Sequence, residues 1–120
     1  MENRRLSKIQ DVYFHEVTRL VRFEMEEPKL AGARITRVRV TPDLTLARIY
    51  FDLPGGKKEE KEVVRGFLRS KNFLKRSLAK TLPLKRVPDL QFFYDETDDL
   101  NSRMEELFRE MEQKIESIEK

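Results

Sequence analysis

Apolar residues recur at helical spacing from Leu6 to Met25. Leu6, Ile9, Tyr13, Phe14, Val17, Leu20 and Val21 fall within one stripe when wound at ~100° per residue. Arg4, Lys8, Asp11, Arg19 and Arg22 gather opposite, and Pro28 stops the pattern. This predicts a first helix. From Arg34 to Val40 the period drops to two, with Thr36, Val38 and Val40 facing one way and Ile35, Arg37 and Arg39 the other, as in a strand with one wet face. Thr41-Pro42-Asp43-Leu44 has the chemistry of a turn. Ala47, Ile49 and Phe51 then alternate with Leu46, Arg48, Tyr50 and Asp52, so the chain returns as the second strand of a hairpin. Leu53 to Lys58, with Pro54, Gly55 and Gly56, reads as an exposed loop.

Residues Glu59 to Leu82 are helical in pattern, but the stripe Val63, Val64, Phe67, Leu68 does not continue into Phe73, Leu74, Leu78, Leu82. Ser and Asn both compete with helical hydrogen bonding, so Ser70-Lys71-Asn72 predicts two helices meeting at Asn72. Pro83 and Pro88 bracket a basic connector, and Leu90, Phe92 and Tyr94 share one side of a third strand. Met104, Phe108, Met111, Ile115 and Ile118 follow a 4-3-4-3 spacing with Leu107 alongside, an amphipathic helix starting at a cap, Asp98 or Asp99. Two heptads are short for a lasting coiled coil, so the helix is expected to pack on the domain or fray. The order of elements predicts an α+β fold, a three-stranded mixed sheet backed by helices. A chain of 120 residues supports one domain, here 1–97, with an acidic amphipathic helix or tail at 98–120.

Charge changes the picture. Between Val63 and Pro88 stand eight Lys and Arg residues and no Asp or Glu, whereas Asp95 to Lys120 holds ten acids against four bases. The overall charge of +3 conceals a body near +9, whose field draws in polyanions by counterion release. The bland alternative is an ordinary solvated helix face. If a helix starts near Asn72, Lys71, Lys75, Arg76 and Lys80 share a broad face, and the first amides of that helix meet phosphate. Phe67, Phe73 and Phe92 fall in apolar stripes, so readout through backbone and shape is expected rather than base stacking.

Other chemistry finds little footing. With no Cys and only His15, neither a disulfide framework nor a zinc site is expected. Four glycines, Gly32, Gly55, Gly56 and Gly66, form no Walker loop or dinucleotide fingerprint, and Ser70 and Ser77 have no base beside them. Asp95, Glu96, Asp98 and Asp99 invite a magnesium-nuclease reading, but neighbours at a strand end diverge and acids belong beside a helix start. No cofactor, metal or small-molecule substrate is expected. No apolar run spans a membrane and no secretory leader is seen, so a cytoplasmic protein is expected.

Three stretches together resemble the ribosome-binding factor A family: Arg4-Arg5 opening the first helix, Val38-x-Val40-Thr41-x-Asp43-Leu44-x-x-Ala47-x-Ile49-Tyr50, and Leu84-Lys85-Arg86-Val87-Pro88-Asp89-Leu90-Gln91-Phe92 followed by Tyr94-Asp95. The resemblance covers nearly the whole chain. It implies a type II KH-like domain, and a cytoplasmic, non-enzymatic factor that binds the immature small (30S) subunit and its 16S rRNA. It further implies a role in late maturation and 5′-end processing of the precursor. Family members carry an Ala-x-Gly kink between two helices, where this chain has Ser70-Lys71-Asn72. The reading is a monomer whose RNA contacts are Lys71, Asn72, Lys75, Arg76, Lys80, Lys85 and Arg86, with Arg4, Arg5 and Lys8 as additions. The rival reading is a protein-interaction module acting through the C-terminal amphipathic helix.

Overall fold

The computed structural model describes residues 4–119; Met1 to Asn3 and Lys120, which the expected domain and tail include, lie outside the described residues. Helix α1 (Arg4–Arg19) runs into a π turn, Leu20–Glu24, closed by the Met25 N–H on the Leu20 carbonyl at 2.9 Å. Strands β1 (Arg34–Val40) and β2 (Leu46–Asp52) form the hairpin. Helices α2 (Glu60–Arg69) and α3 (Lys71–Ala79) cross to β3 (Asp89–Tyr94), and α4 (Thr97–Glu119) ends the chain. The sheet order is β1-β2-β3, antiparallel in the first pair and parallel in the second. This is the mixed sheet the element order predicts, because a parallel return needs a long crossover and the helix pair supplies it.

The core lies on one face of the sheet. Ile9, Tyr13, Val17 and Leu20 from the first helix, Val63 and Phe67 from α2, and Leu74 and Leu78 from α3 meet the inward residues of all three strands. An aromatic column holds it together: Phe67 stacks on Phe92 with centroids 4.7 Å apart and touches Phe51 at 5.1 Å, and Phe51 meets Tyr94 edge-on at 5.9 Å. Gly66, one residue before, lets α2 approach the short turn Pro28–Leu30, since a Cβ there would lie 3.3 Å from Leu30 and 3.2 Å from Glu27.

Four local expectations are corrected. The pairing of β1 with β2 shifts between Ile35 and Arg37, a bulge at Thr36 that turns Ile35 into the core beside Val38 and Val40. The break between helices falls at Ser70 (φ −94°, ψ 1°), two residues before Asn72; a single bridge-region residue reverses little, and α3 resumes at Lys71. α4 starts at Thr97, because Asp95 Oδ1 accepts from the Thr97 amide at 3.0 Å and hydroxyl at 2.6 Å, which puts Asp98 and Asp99 inside the first turn. Nor does α4 pack on the domain. Leu100, Met104, Leu107, Phe108, Met111, Ile115 and Ile118 are all at least half exposed, and the molecule is 67 Å long as α4 projects.

Among the described residues, the latches on α4 gather at its first turn. Asp98 meets Arg34 at 2.8 Å, the Tyr94 hydroxyl donates to Asp99 at 2.7 Å, and Lys57 pairs with Glu96. Asp95, the buried acid, also accepts from the Thr36 hydroxyl at 2.6 Å. Burial alone would push the Asp95 carboxyl up. The hydrogen bonds from Thr36 and Thr97, with Arg37 nearby at 3.7 Å, outweigh it and hold the group below the usual carboxylate range.

Phe67→Ala is expected to destabilise the fold by about 3–5 kcal/mol, read as a lower urea midpoint at unchanged slope; a cost near zero would mean the column does not seat the helix pair. Because the folded-state value of Asp95 lies below the unfolded one, its contribution is complete above pH ~4 and is lost as the pH falls through the folded value. The protection of the Thr97 amide, its exchange relative to an unstructured peptide at the same pH, should therefore fall on acidification, and Asp95→Asn should flatten that dependence.

Candidate nucleic-acid interface

Helix α3 sorts its own basic residues. Leu74 and Leu78 enter the core, which places Asn72, Arg76 and Lys80, spaced four apart, in solvent on another face. Lys71 and Lys75 form a flanking, half-buried row aimed at Asp89, with Nζ to Oδ1 distances of 2.8 and 3.6 Å. The Lys71 ammonium chiefly holds the Asp89 carboxyl below its ordinary range. An anion arriving at these two lysines must compete with a carboxylate already in place.

The connector adds Lys85 and Arg86, both exposed and without an ion pair among the described residues. It delivers the chain to Asp89, whose N–H bonds the Thr45 carbonyl of the hairpin turn at 2.9 Å. Helix α1 reaches that same end of the sheet, where Gln10 Oε1 accepts the Val40 N–H at 3.0 Å. Arg4, Arg5 and Lys8, exposed on the opening turns of α1, therefore stand at the connector's end of the molecule. Structure thus brings the α3 row, the connector and the α1 start into one neighbourhood.

Elsewhere acids reduce the run of positive charge. Arg65 pairs with Glu62 at 2.6 Å, and Arg69 with Glu27 at 2.9 Å. The Arg69 hydrogen bonds hold Glu27 below the usual carboxylate range. The open cleft beside the helix break is lined by Glu24, Glu26 and Glu27 together with Arg69, Ser70 and Phe73. Glu27 is matched by Arg69 and Glu24 by Arg19, so among the described residues the cleft offers a phosphate no free cation at the start of α3, and the favourable field lies toward the end of α3 and the connector.

The acidic group before α4 also resolves. Asp95 is held by Thr36 and Thr97, Glu96 by Lys57, Asp98 by Arg34 and Asp99 by Tyr94. Four carboxylates, each facing partners of its own, do not converge on one point, and no group of three or more among the described residues could hold a metal ion. Burial, followed by the Asp99 bond, pushes the Tyr94 hydroxyl up to about 12.

Against this geometry, the family model for ribosome-binding factor A matches residues 5–108. The chain belongs to the ribosome-binding factor A family. A ribosome-binding factor A from Desulfatibacillum aliphaticivorans is 36% identical over 96 residues, covering 80% of this chain and 78% of that protein. The crystal structure of the Thermus thermophilus factor superposes with a TM-score of 0.67 over 74% of this chain and 93% of that one, at 20% identity. A Thermus thermophilus homology model fitted into a cryo-EM map of a 30S complex gives 0.57 over 79% and 96%, at 17% identity. At those identities the likeness is of fold, the α+β KH-like arrangement of a mixed sheet backed by helices.

Sequence reasoning overlooked the outer face of the sheet. Arg37, Arg39, Arg48, Tyr50 and Phe93 all lie there, and Phe93 is 39% exposed. The period-two pattern already marked the first four as outward. Their grouping depends on strand register, which no single strand encodes.

Asp89→Asn should strengthen retention on immobilised heparin, because it releases Lys71 and Lys75 from their shared acid, while stability changes by less than ~1 kcal/mol as for exposed ion pairs. Unchanged retention would remove these two lysines from the polyanion surface.

Proposed function

We propose that this chain binds the 16S rRNA of the immature small ribosomal subunit and assists its late maturation and 5′-end processing, without catalysing a reaction. The observation that carries this is the row Arg76, Lys80, Lys85 and Arg86, without an ion pair among the described residues, at one end of the sheet in a chain of this family. A relative of the same fold has been placed in a 30S complex, which supports the partner. Arg76, Lys80, Lys85 and Arg86 make the principal phosphate contacts, Asn72 lies in the same row, and Lys71 and Lys75 join by exchanging Asp89 for phosphate. Arg4, Arg5 and Lys8 extend the track along α1.

The mechanism is occupancy. By binding one arrangement of the rRNA better than its alternatives, the protein shifts the particle's population toward that arrangement, and no bond is made or broken. The factor acts as a cytoplasmic monomer: α4 carries eight acids against three bases, so two copies laid side by side repel. Residues 1–97 do the RNA binding, and 98–120 form a separate acidic arm. No helix among the described residues is long and apolar enough to cross a membrane.

A second reading has its own observation. The exposed stripe from Leu100 to Ile118 is the form an amphipathic helix takes before docking in a partner's groove. Deleting residues 103–120 separates the two. The rRNA reading expects subunit binding to survive the deletion and to be lost when Lys75, Arg76 and Lys80 are reversed to Glu with the fold intact. The opposite pair of results favours the interaction module. With about five phosphates neutralised, log affinity should fall against log salt with a slope of roughly −3 to −5, and a flat response would exclude the basic row as the contact.

A further inference from the structure

The outer face of the sheet carries a cost the fold does not explain. Arg39 on β1 and Arg48 on β2 are directly opposed in the register, and like charges so placed destabilise a sheet. Neither has an ion pair among the described residues; Arg39 only donates to the neighbouring Val38 carbonyl at 3.2 Å. Guarding a sheet edge with charge would account for Arg39 on the outer strand β1. It does not account for Arg48, because β2 is the central strand.

Beside this pair lies a π surface. Tyr50 on β2 is registered with Phe93 on β3, their centroids 5.6 Å apart and their planes 31° from parallel. The Arg37 guanidinium covers the Tyr50 ring at 4.1 Å and is steadied by Asp95 at 3.7 Å. Phe93 has no such cover among the described residues. Arg48 thus sits one register step diagonally from the accessible Phe93 ring, and Arg39 one step along β1 from the fixed Arg37 guanidinium plane, a combination that pairs phosphates with stacked bases.

We propose that this face is a second nucleic-acid site, which takes a single-stranded RNA segment with a base on Phe93 and Arg37 and its phosphates on Arg39 and Arg48. A duplex hides its base faces and meets only the charges. The face opens at the same end of the sheet as the connector, since Arg48 pairs with Gln91 two residues after Asp89. A strand leaving Lys85 and Arg86 can therefore pass over the start of β3 onto the sheet. The choice of RNA over DNA rests on the ribosomal reading above; the platform itself does not.

The test uses the full chain, with a fluorescein-labelled, unstructured RNA of about twelve nucleotides and the same sequence as a duplex. Phe93→Leu should weaken single-strand binding about tenfold and leave duplex binding unchanged. Arg39→Gln with Arg48→Gln should flatten the single-strand salt slope by about 1.4. Arg48→Thr should raise the thermal midpoint by a few degrees while weakening binding, an exchange that a structural arginine would not show. Ultraviolet crosslinking should place RNA on Phe93. The proposal is overturned if Phe93→Leu changes nothing, if single strand and duplex lose equally, or if Phe93 crosslinks to protein in the immature subunit. Arg76→Gln with Lys80→Gln reports on the helical row separately, so loss there with an inert Phe93 sinks this inference alone, and the reverse sinks the helical reading.

Discussion

The seat of Phe67 on Phe92 determines where the rest of the surface goes. It pins α2 to the central and third strands through one stacked ring pair, with Phe51 and Tyr94 continuing the column. Burial of such a side chain stabilises by about 1.5–3 kcal/mol from area alone, more than any exposed ion pair in the molecule can supply. Because α3 follows α2 after one residue, anchoring α2 also anchors the row Asn72, Arg76, Lys80. The cationic surface is therefore positioned by an apolar contact, and its own charges contribute little to holding it there.

Charge then decides which parts of that surface remain available. The run from Val63 to Pro88 contains no acid, but Glu62, one turn back on α2, pairs with Arg65, while the fold brings Glu27 to Arg69 and Asp89 to Lys71 and Lys75. What stays open is concentrated at the end of α3 and in the connector. Linear spacing alone overstates the anion-binding area, since the residues that neutralise it are 42 positions away for Arg69 and 18 for Lys71.

The two periodicities made most of the fold legible. Inward and outward residues of β2 and β3 follow simple alternation, and the stripe of α1 is the stripe that is buried. Ile35 escaped because a bulge adds a residue to one strand, and alternation on either side of it is out of phase. Competition for helical hydrogen bonds points to Ser70 and Asn72 alike, and which of them makes the turn is settled by Ser70 doing so at negative φ. The start of α4 was hidden for another reason. Asp95 caps Thr97 from the end of a strand, and its second oxygen is satisfied by Thr36, 59 residues earlier, so the cap is as much a tertiary as a local feature.

A sheet covered on one face only has a consequence for its bare face. The inward residues must be apolar, so every outward position is free to serve something other than stability, and here the central strand presents Arg48 and Tyr50. Opposing Arg39 to Arg48 costs a few tenths of a kcal/mol to about 1 kcal/mol, small beside the core but unrecovered within the chain. A substitution such as Arg48→Thr would relieve it and suit a strand better. That the chain keeps both arginines, beside a ring left open at Phe93, is most simply explained by an anion that completes the face from outside.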